Sequence, residues 1–284
     1  MACLNCPRKC GVDRNKSVGV CGVGKEIIVN THEVFMFEEP CISGINGSGV
    51  IFFSGCSLKC VYCQNYEISH GANGRKISPS ELVEIIKDLE EKGVHNINFV
   101  TPTHFIDGII SALQIYRPKI PIVWNTHGYE TTENIQKLCD FVDVFLTDFK
   151  YFESGTAKKY SSCENYPKIV KNALEIMVKN KPLIWDGEFL KSGVIVRHLA
   201  LPQRVDETKK ILNYLAENYK DKVVVSLMSQ FTPFGECNKY PELNRSLTPR
   251  EHKIINTYFR ELDLMGYTQG LSSSTTKYIP KWKN

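Results

Sequence analysis

Six short apolar runs, each followed by a stretch of helical periodicity, constrain this chain more than any other feature. They are Val50 to Ser54, Ile97 to Val100, Pro121 to Asn125, Val142 to Thr147, Val194 to His198 and Val223 to Met228. Buried runs that alternate with helical patterns are the signature of a parallel sheet built from βα units. Between the first two, Ser78-Pro79-Ser80-Glu81 reads as a capping box with proline at the first helical position. Leu82, Ile85, Ile86 and Leu89 then share one face, and Gly93 is the stop. Thr248-Pro249-Arg250-Glu251 repeats this start, predicting Ile254, Ile255, Tyr258 and Leu262 on a buried face and Gly266 at the end. Further helices are predicted near 105–117, 131–140, 165–180 and 206–219. Six repeats predict an α/β fold, a partial (β/α)6 barrel of TIM type. Residues 46–284 would form the barrel and its C-terminal helix, and residues 1–45 a small cysteine-rich N-terminal extension. Functional side chains of such barrels lie at the C-terminal strand ends.

Composition narrows the class. With 284 residues, 42% of them hydrophobic, the chain can bury a large core. A net charge of +4, with acids and bases mixed along the chain, gives no argument for nucleic acid. No apolar stretch approaches the ~20 residues that span a bilayer. Eleven cysteines follow an opening that lacks a basic segment and apolar run of signal type, so a reducing cytoplasm is the expected location.

Chemistry-bearing residues follow each run. The first leads into Gly55-Cys56-Ser57-Leu58-Lys59-Cys60-Val61-Tyr62-Cys63, a C-x3-C-x2-C loop able to hold three irons of a cubane and leave the fourth open. A zinc site with a distant fourth ligand, or buried free thiols, are the other readings of these cysteines. Thr101-Pro102-Thr103-His104, Asn125-Thr126-His127-Gly128 and Thr147-Asp148-Phe149-Lys150 follow the next three runs. Arg197 and His198 close the fifth, and Ser229 and Gln230 follow the sixth. Polar side chains converging from six strand ends suit a zwitterionic, nucleoside-containing ligand. Arg197 has a second reading, an internal salt bridge with Asp148. His104, His127 and His198 read equally well as structural hydrogen-bonding groups.

The cysteine spacing, with an aromatic before its last member, resembles the radical SAM superfamily, in which S-adenosylmethionine (SAM) fills the vacant iron position. More narrowly, the chain is similar to activating enzymes of glycyl-radical proteins, typified by pyruvate formate-lyase activating enzyme. The resemblance implies that Cys56, Cys60 and Cys63 hold a 4Fe-4S cluster and that Tyr62 contacts the adenine. It implies SAM contacts from Asn125, Thr126, Asp148, Lys150, Arg197 and Gln230, and a monovalent cation among Asn125, Thr126 and Asp148. It further implies reductive cleavage of SAM to a 5'-deoxyadenosyl radical, a flavodoxin- or ferredoxin-type reductant, and a protein or peptide substrate such as a glycyl-radical enzyme. The family's Gly-Gly-Glu stretch after the second strand is replaced by Val100-Thr101-Pro102-Thr103. The hydroxyls of Thr101 and Thr103, or backbone carbonyls, are then the acceptors left for the SAM amino group. Together with Glu38-Glu39-Pro40-Cys41-Ile42-Ser43-Gly44 and the N-terminal cysteines, this stretch looks more like an activating-enzyme-like branch.

Cys3-x2-Cys6-x3-Cys10-x10-Cys21, with turn-forming glycines at 11, 19, 22 and 24, is a candidate second metal site. Zinc leads, an iron site or auxiliary cluster follows, and free thiols are the remaining reading. Three other function classes stay open. They are a radical SAM enzyme acting on a peptide or small molecule, an iron-sulfur electron-transfer protein, and a zinc-dependent interaction module.

Overall fold

In a computed structural model, which describes residues 2–275 and Trp282, each of the six apolar runs forms a strand of one sheet. The strands are β1 (Ile27–Phe35), β2 (Ser48–Phe53), β3 (Arg75–Ile77), β4 (Ile97–Val100), β5 (Ile122–Thr126), β6 (Val144–Asp148), β7 (Ile184–Asp186), β8 (Phe189–Leu199), β9 (Val224–Met228) and β10 (Gly266–Thr268). Nine follow the order β10-β9-β8-β6-β5-β4-β2-β1-β3, and β7 pairs antiparallel with β8 off this path. Strands β2, β4, β5, β6, β8 and β9 run parallel, as six βα units require. Among the described residues β3 and β10 remain unpaired edges, so the barrel is partial and open on one side.

The helices are α1 (Pro40–Ser43), α2 (Tyr66–His70), α3 (Pro79–Glu91), α4 (Ile106–Ile115), α5 (Thr132–Leu138), α6 (Ser154–Ser161), α7 (Tyr166–Asn180), α8 (Val205–Tyr219) and α9 (Pro249–Glu261). Both capping boxes form: Ser78 and Thr248 accept from the backbone of Glu81 and Glu251, whose carboxylates reach back to the cap N–H. Each is worth about 1 kcal/mol. Helix α9 departs from expectation. It buries Ile255, Asn256 and Phe259, and leaves Ile254, Tyr258 and Leu262 half-buried. Tyr258 and Leu262 pack against the edge of the core, and the Tyr258 hydroxyl donates to Asn213 on α8 at 2.6 Å, which keeps that face at the rim. Gly266 does not end the helix but opens β10. At φ +151° its absent Cβ would stand 1.8 Å from the Val225 carbonyl oxygen, so strand pairing requires glycine there.

Strand β1 falls within the expected N-terminal extension yet pairs antiparallel with both β2 and β3, bringing residues 27–35 into the sheet. Because Phe35 pairs with Ser48 at the start of β2, the intervening loop crosses the N-terminal end of the barrel. There Cys41 and Ile42 of α1 pack with Val123, Val144, Leu146, Ile195 and Val224, the lowest inward-facing residues, and form an apolar floor. On the outward face Ile51, Phe53, Ile97, Phe99, Trp124, Phe145, Val194, Val196, Val225 and Leu227 join the main helix-facing core. Burying such side chains stabilises by about 1.5–3 kcal/mol each.

Candidate active site

Side chains two residues apart on a strand share a face, so the layer above the apolar floor is read directly from the register. Asn125 follows Val123, Asp148 follows Leu146, Arg197 follows Ile195 and Ser226 follows Val224, and all four are polar. Arg197 donates from Nε to Asp148 Oδ1 at 3.0 Å and from Nη2 to Asn125 Oδ1 at 2.6 Å. Lys150 Nζ holds the other Asp148 oxygen at 2.6 Å. Burial pushes the Asp148 carboxyl up, but Lys150 and Arg197 together outweigh it and hold it below the usual range.

Glu38, at the start of the floor-crossing loop, completes this layer and was not among the expected site residues. Its side chain is 8% exposed and accepts from Asn98 and Asn125 Nδ2 at 3.1 Å each and from Arg197 Nη1 at 3.3 Å. Burial, opposed by Arg197 and reinforced by adjacent Glu39, raises its pKa to about 7. The only sequence signal was a pair of acids preceding a proline.

The cysteine loop leaves the end of β2 through Gly55, at φ +82°, where a Cβ would stand 2.8 Å from the Cys21 carbonyl oxygen. Lys59, at φ +51°, makes a second sharp turn. Cys56, Cys60, Cys63 and Tyr62 line a cavity of about 470 Å³. Two donors address the sulfurs: Ser161 Oγ to Cys60 at 3.1 Å and the Leu58 N–H to Cys56 at 3.4 Å. Ser161 is itself tied to the Tyr151 hydroxyl at 2.7 Å. Burial is the main cause that pushes the Cys56 thiol up to about 12 and that of Cys63 to about 11. Tyr62 is buried edge-on against Tyr151, Tyr160 and Phe231.

Of the other expected cofactor residues, Thr101, Asn125, Thr126, Asp148, Lys150, Arg197 and Gln230 line the same cavity. Thr103 does not. Its fully buried hydroxyl donates to Glu130 Oε1 at 2.7 Å, alongside Thr126 Oγ1 at 2.7 Å and Trp124 Nε1 at 3.1 Å. A buried carboxylate needs such donors, and it takes Thr103 out of the site. Thr101 sits at φ +57°, a left-handed conformation that costs a β-branched residue about 1–3 kcal/mol. Gln230 is oriented by Gln269, which donates to it at 3.0 Å.

The three strand-end histidines are buried and hydrogen-bonded. His127 lines the cavity, but the Tyr129 N–H donates to its Nδ1, which puts the proton on Nε2, 3.1 Å from Ser57 Oγ. His198 bridges the Phe149 carbonyl and Thr208, and His104 reaches the Ser54 carbonyl. Burial, the largest cause in each, depresses His127 to about 3 and the other two to about 4.

The N-terminal cysteines lie outside this cavity but against its cysteine loop. The Cys56 N–H donates to the Cys21 carbonyl at 3.1 Å, and Arg8 donates to the carbonyls of Ser57, Leu58, Ser161 and Ser162. Gly19 lets thiols gather, since a Cβ there would be 3.2 Å from Cys10 Sγ and 3.5 Å from Cys21 Sγ. Among the described residues, however, no three or more His, Cys, Asp or Glu side chains are arranged to hold a single metal ion. Cys6 nonetheless lies beside Cys3 and Cys21, and Cys3 reaches Cys10, so the four N-terminal thiols gather in one place. For the three loop cysteines the single-ion criterion is not the relevant one, because a cubane spaces its thiolates more widely than a single ion does.

Residues 50–215, more than half of the chain, match the radical SAM superfamily. The chain belongs to the radical SAM superfamily. An uncharacterised protein of Methanocaldococcus jannaschii is 35% identical over 259 residues, 88% of this chain and 71% of that one. Pyruvate formate-lyase-activating enzyme of Clostridium pasteurianum is 25% identical over 242 residues, 77% of this chain and 93% of that enzyme. Among solved structures, SuiB of Streptococcus suis bound to S-adenosylmethionine superposes with a TM-score of 0.54 at 11% identity, covering 76% of this chain and 48% of that one. A radical SAM methyltransferase of Sphaerobacter thermophilus superposes with a TM-score of 0.52 at 12% identity, covering 80% and 72%. This radical SAM chain thus spans about half the length of the Streptococcus suis protein, and the likeness to both structures is one of fold. No helix among the described residues is long and apolar enough to cross a membrane.

Membership implies a 4Fe-4S cluster and SAM, and the cavity fits both. Three cysteines with donors aimed at their sulfurs suit the cluster. Cationic Lys150 and Arg197, amide and hydroxyl groups, and the apolar Phe52, Leu199, Met228 and Phe231 suit a zwitterion attached to a nucleoside. The monovalent cation does not fit. Asn125 Oδ1 and both Asp148 oxygens already accept from cationic side chains, and Thr126 donates to Glu130.

Proposed function

We propose that this radical SAM enzyme cleaves SAM reductively and directs hydrogen abstraction at a protein or peptide, with a glycyl-radical enzyme as the leading candidate. The observation that carries this reading is that Cys56, Cys60 and Cys63 line the same cavity as Asn125, Asp148, Lys150 and Arg197. When bound, the cluster and SAM supply the electron transfer and the 5'-deoxyadenosyl radical; the protein orients them and excludes competing reactions. Lys150 and Arg197 offer charge-assisted hydrogen bonds to the SAM carboxylate. Thr101, Gln64 and Gln230 line the cavity with oxygens able to accept from its ammonium. Tyr62 and Phe231 supply aromatic surface for the adenine. Ser161 and the Leu58 N–H hold two of the cluster thiolates in place.

The open side between β3 and β10 supports a polypeptide substrate, since an extended loop can reach such a cavity without threading a closed barrel. The likeness to pyruvate formate-lyase-activating enzyme and to SuiB, solved in complex with its precursor peptide SuiA, points the same way. A flavodoxin- or ferredoxin-type protein is the proposed electron donor. The test is anaerobic reconstitution, reduction and addition of SAM, with 5'-deoxyadenosine measured by mass spectrometry and Cys60→Ala as control. Cys60-dependent product is expected. A reducible cluster that neither cleaves SAM nor changes its electron paramagnetic resonance on SAM addition would refute the reading. Deuterium passing from an α-deuterated glycine loop into 5'-deoxyadenosine would identify glycine as the hydrogen donor.

A further inference from the structure

The layer of polar side chains above the barrel floor has a charge arrangement that the superfamily resemblance did not anticipate. Asn125, Thr126 and Asp148 are the residues expected around a monovalent cation, and a hard cation there needs their oxygen lone pairs. Arg197 and Lys150 already engage those of Asn125 and Asp148. The Arg197 guanidinium sits among oxygens from three separate segments: Asp148 Oδ1 at 3.0 Å from the end of β6, Asn125 Oδ1 at 2.6 Å from β5, and Glu38 Oε2 at 3.3 Å from the floor-crossing loop. Lys150 Nζ covers Asp148 Oδ2 at 2.6 Å. The Thr126 hydroxyl spends its proton on Glu130 at 2.7 Å and accepts from the Gly128 N–H at 3.3 Å. A sodium or potassium ion placed here would find its oxygens engaged and two positive side chains beside it. The Arg197 side chain is only 17% exposed, and three acceptors fix its fork, so it is not free to swing aside without stranding Asp148 and Asn125.

We propose that the Arg197 guanidinium is a built-in replacement for the monovalent cation, so that this protein holds Asn125 and Asp148 in position for SAM without sodium or potassium. The inference rests on the proposed SAM site, but its first test does not require SAM. A protein that binds a cation only when folded is stabilised by it. Thermal unfolding of the metal-free chain is therefore measured in chloride salts of potassium, sodium and choline at equal ionic strength, for wild type and Arg197→Ala. Wild type is expected to melt at the same temperature in all three salts. Arg197→Ala is expected to melt lower, and to regain part of the loss in potassium or sodium but not in choline. A wild type stabilised by potassium or sodium over choline overturns the proposal, as does an Arg197→Ala protein indifferent to the cation. Should Arg197→Ala not fold, Arg197→Gln, which keeps one amide donor, takes its place, and the wild-type comparison is decisive in either case. The second arm is SAM affinity of the reconstituted enzyme by calorimetry. It is expected to be equal in potassium and choline for wild type, and at least tenfold tighter in potassium for the variant. An absence of SAM binding in every salt, beside the expected melting pattern, would refute the proposed function and leave the assignment of Arg197 standing.

Discussion

Two cysteine-rich regions of this chain look alike in composition and differ in what holds them. The loop from Gly55 to Cys63 is suspended between a buried strand end and the main core, and its three cysteines face the cavity. The segment from Cys3 to Cys21 has almost no core of its own and is attached through backbone carbonyls, chiefly by Arg8 and by the pairing of Cys21 with Cys56. Cysteine density therefore says little about role; the neighbouring elements decide which thiols face a reaction space. The N-terminal segment acts as a brace for the loop.

The comparison breaks most sharply at single cysteines. Cys60→Ala is expected to abolish SAM cleavage and lower iron bound after reconstitution, whereas Cys10→Ala keeps the loop iron and measurable 5'-deoxyadenosine. Loss of all product from Cys10→Ala with loop iron intact would show that the N-terminal thiols take part in the chemistry. Next comes the brace. Arg8→Ala removes donors to four carbonyls and is expected to cost about 3 kcal/mol, read from urea midpoints. A loss below about 1 kcal/mol would mean that the segment is held elsewhere.

A third prediction uses pH. His127 ties the cysteine loop through Ser57, and His104 supports the N-terminal segment, its carbonyl accepting from Arg14. His104, His127 and His198 all have folded pKa values depressed to about 4 or below. An unfolded chain takes up these protons near pH 6.5 and the native one does not, so their contribution is present above that pH and lost as pH falls. Glu38, raised to about 7, works in the opposite direction, losing stability as pH rises from its ordinary value toward 7. The lowered histidines, His70 and His95 among them, outweigh Glu38 and Glu130, whose carboxyl burial also raises, so the metal-free protein is expected to lose stability, by about 2 kcal/mol, between pH 7 and 5. A midpoint that rises on acidification would overturn this balance. The smallest effect is expected at Thr101. Thr101→Gly relieves the left-handed backbone at φ +57° and should stabilise the fold by about 1 kcal/mol. A destabilised variant would mean that packing of the threonine outweighs its strain.

Legibility followed the range of the interactions. All six parallel strands and both capping boxes were readable because alternation and capping involve residues within a few positions of one another. The cysteine loop and most strand-end residues were readable for the same reason: a strand that ends in a polar residue presents it at the barrel mouth. Thr103 was misjudged because its partner, Glu130, lies 27 positions away, and Glu38 was missed because its partners lie 60 to 159 positions away. The buried stripe of α9 was misjudged because Ile254 and Ile255 are equally apolar and only docking chooses between them.

The sequence by itself determined a parallel α/β sheet and a three-cysteine loop at the end of its first parallel strand, since both depend on local periodicity and spacing. Only the tertiary structure decided which of the candidates join that loop in the cavity and how their charges are shared. Glu38 crosses the barrel floor to Arg197, and Arg197 stands between Asn125 and Asp148 where a cation was expected. These choices depend on which charges are brought within hydrogen-bonding distance inside a buried layer. There an unpaired charge is costly, so the arrangement that satisfies every group at once is set by the assembled sheet.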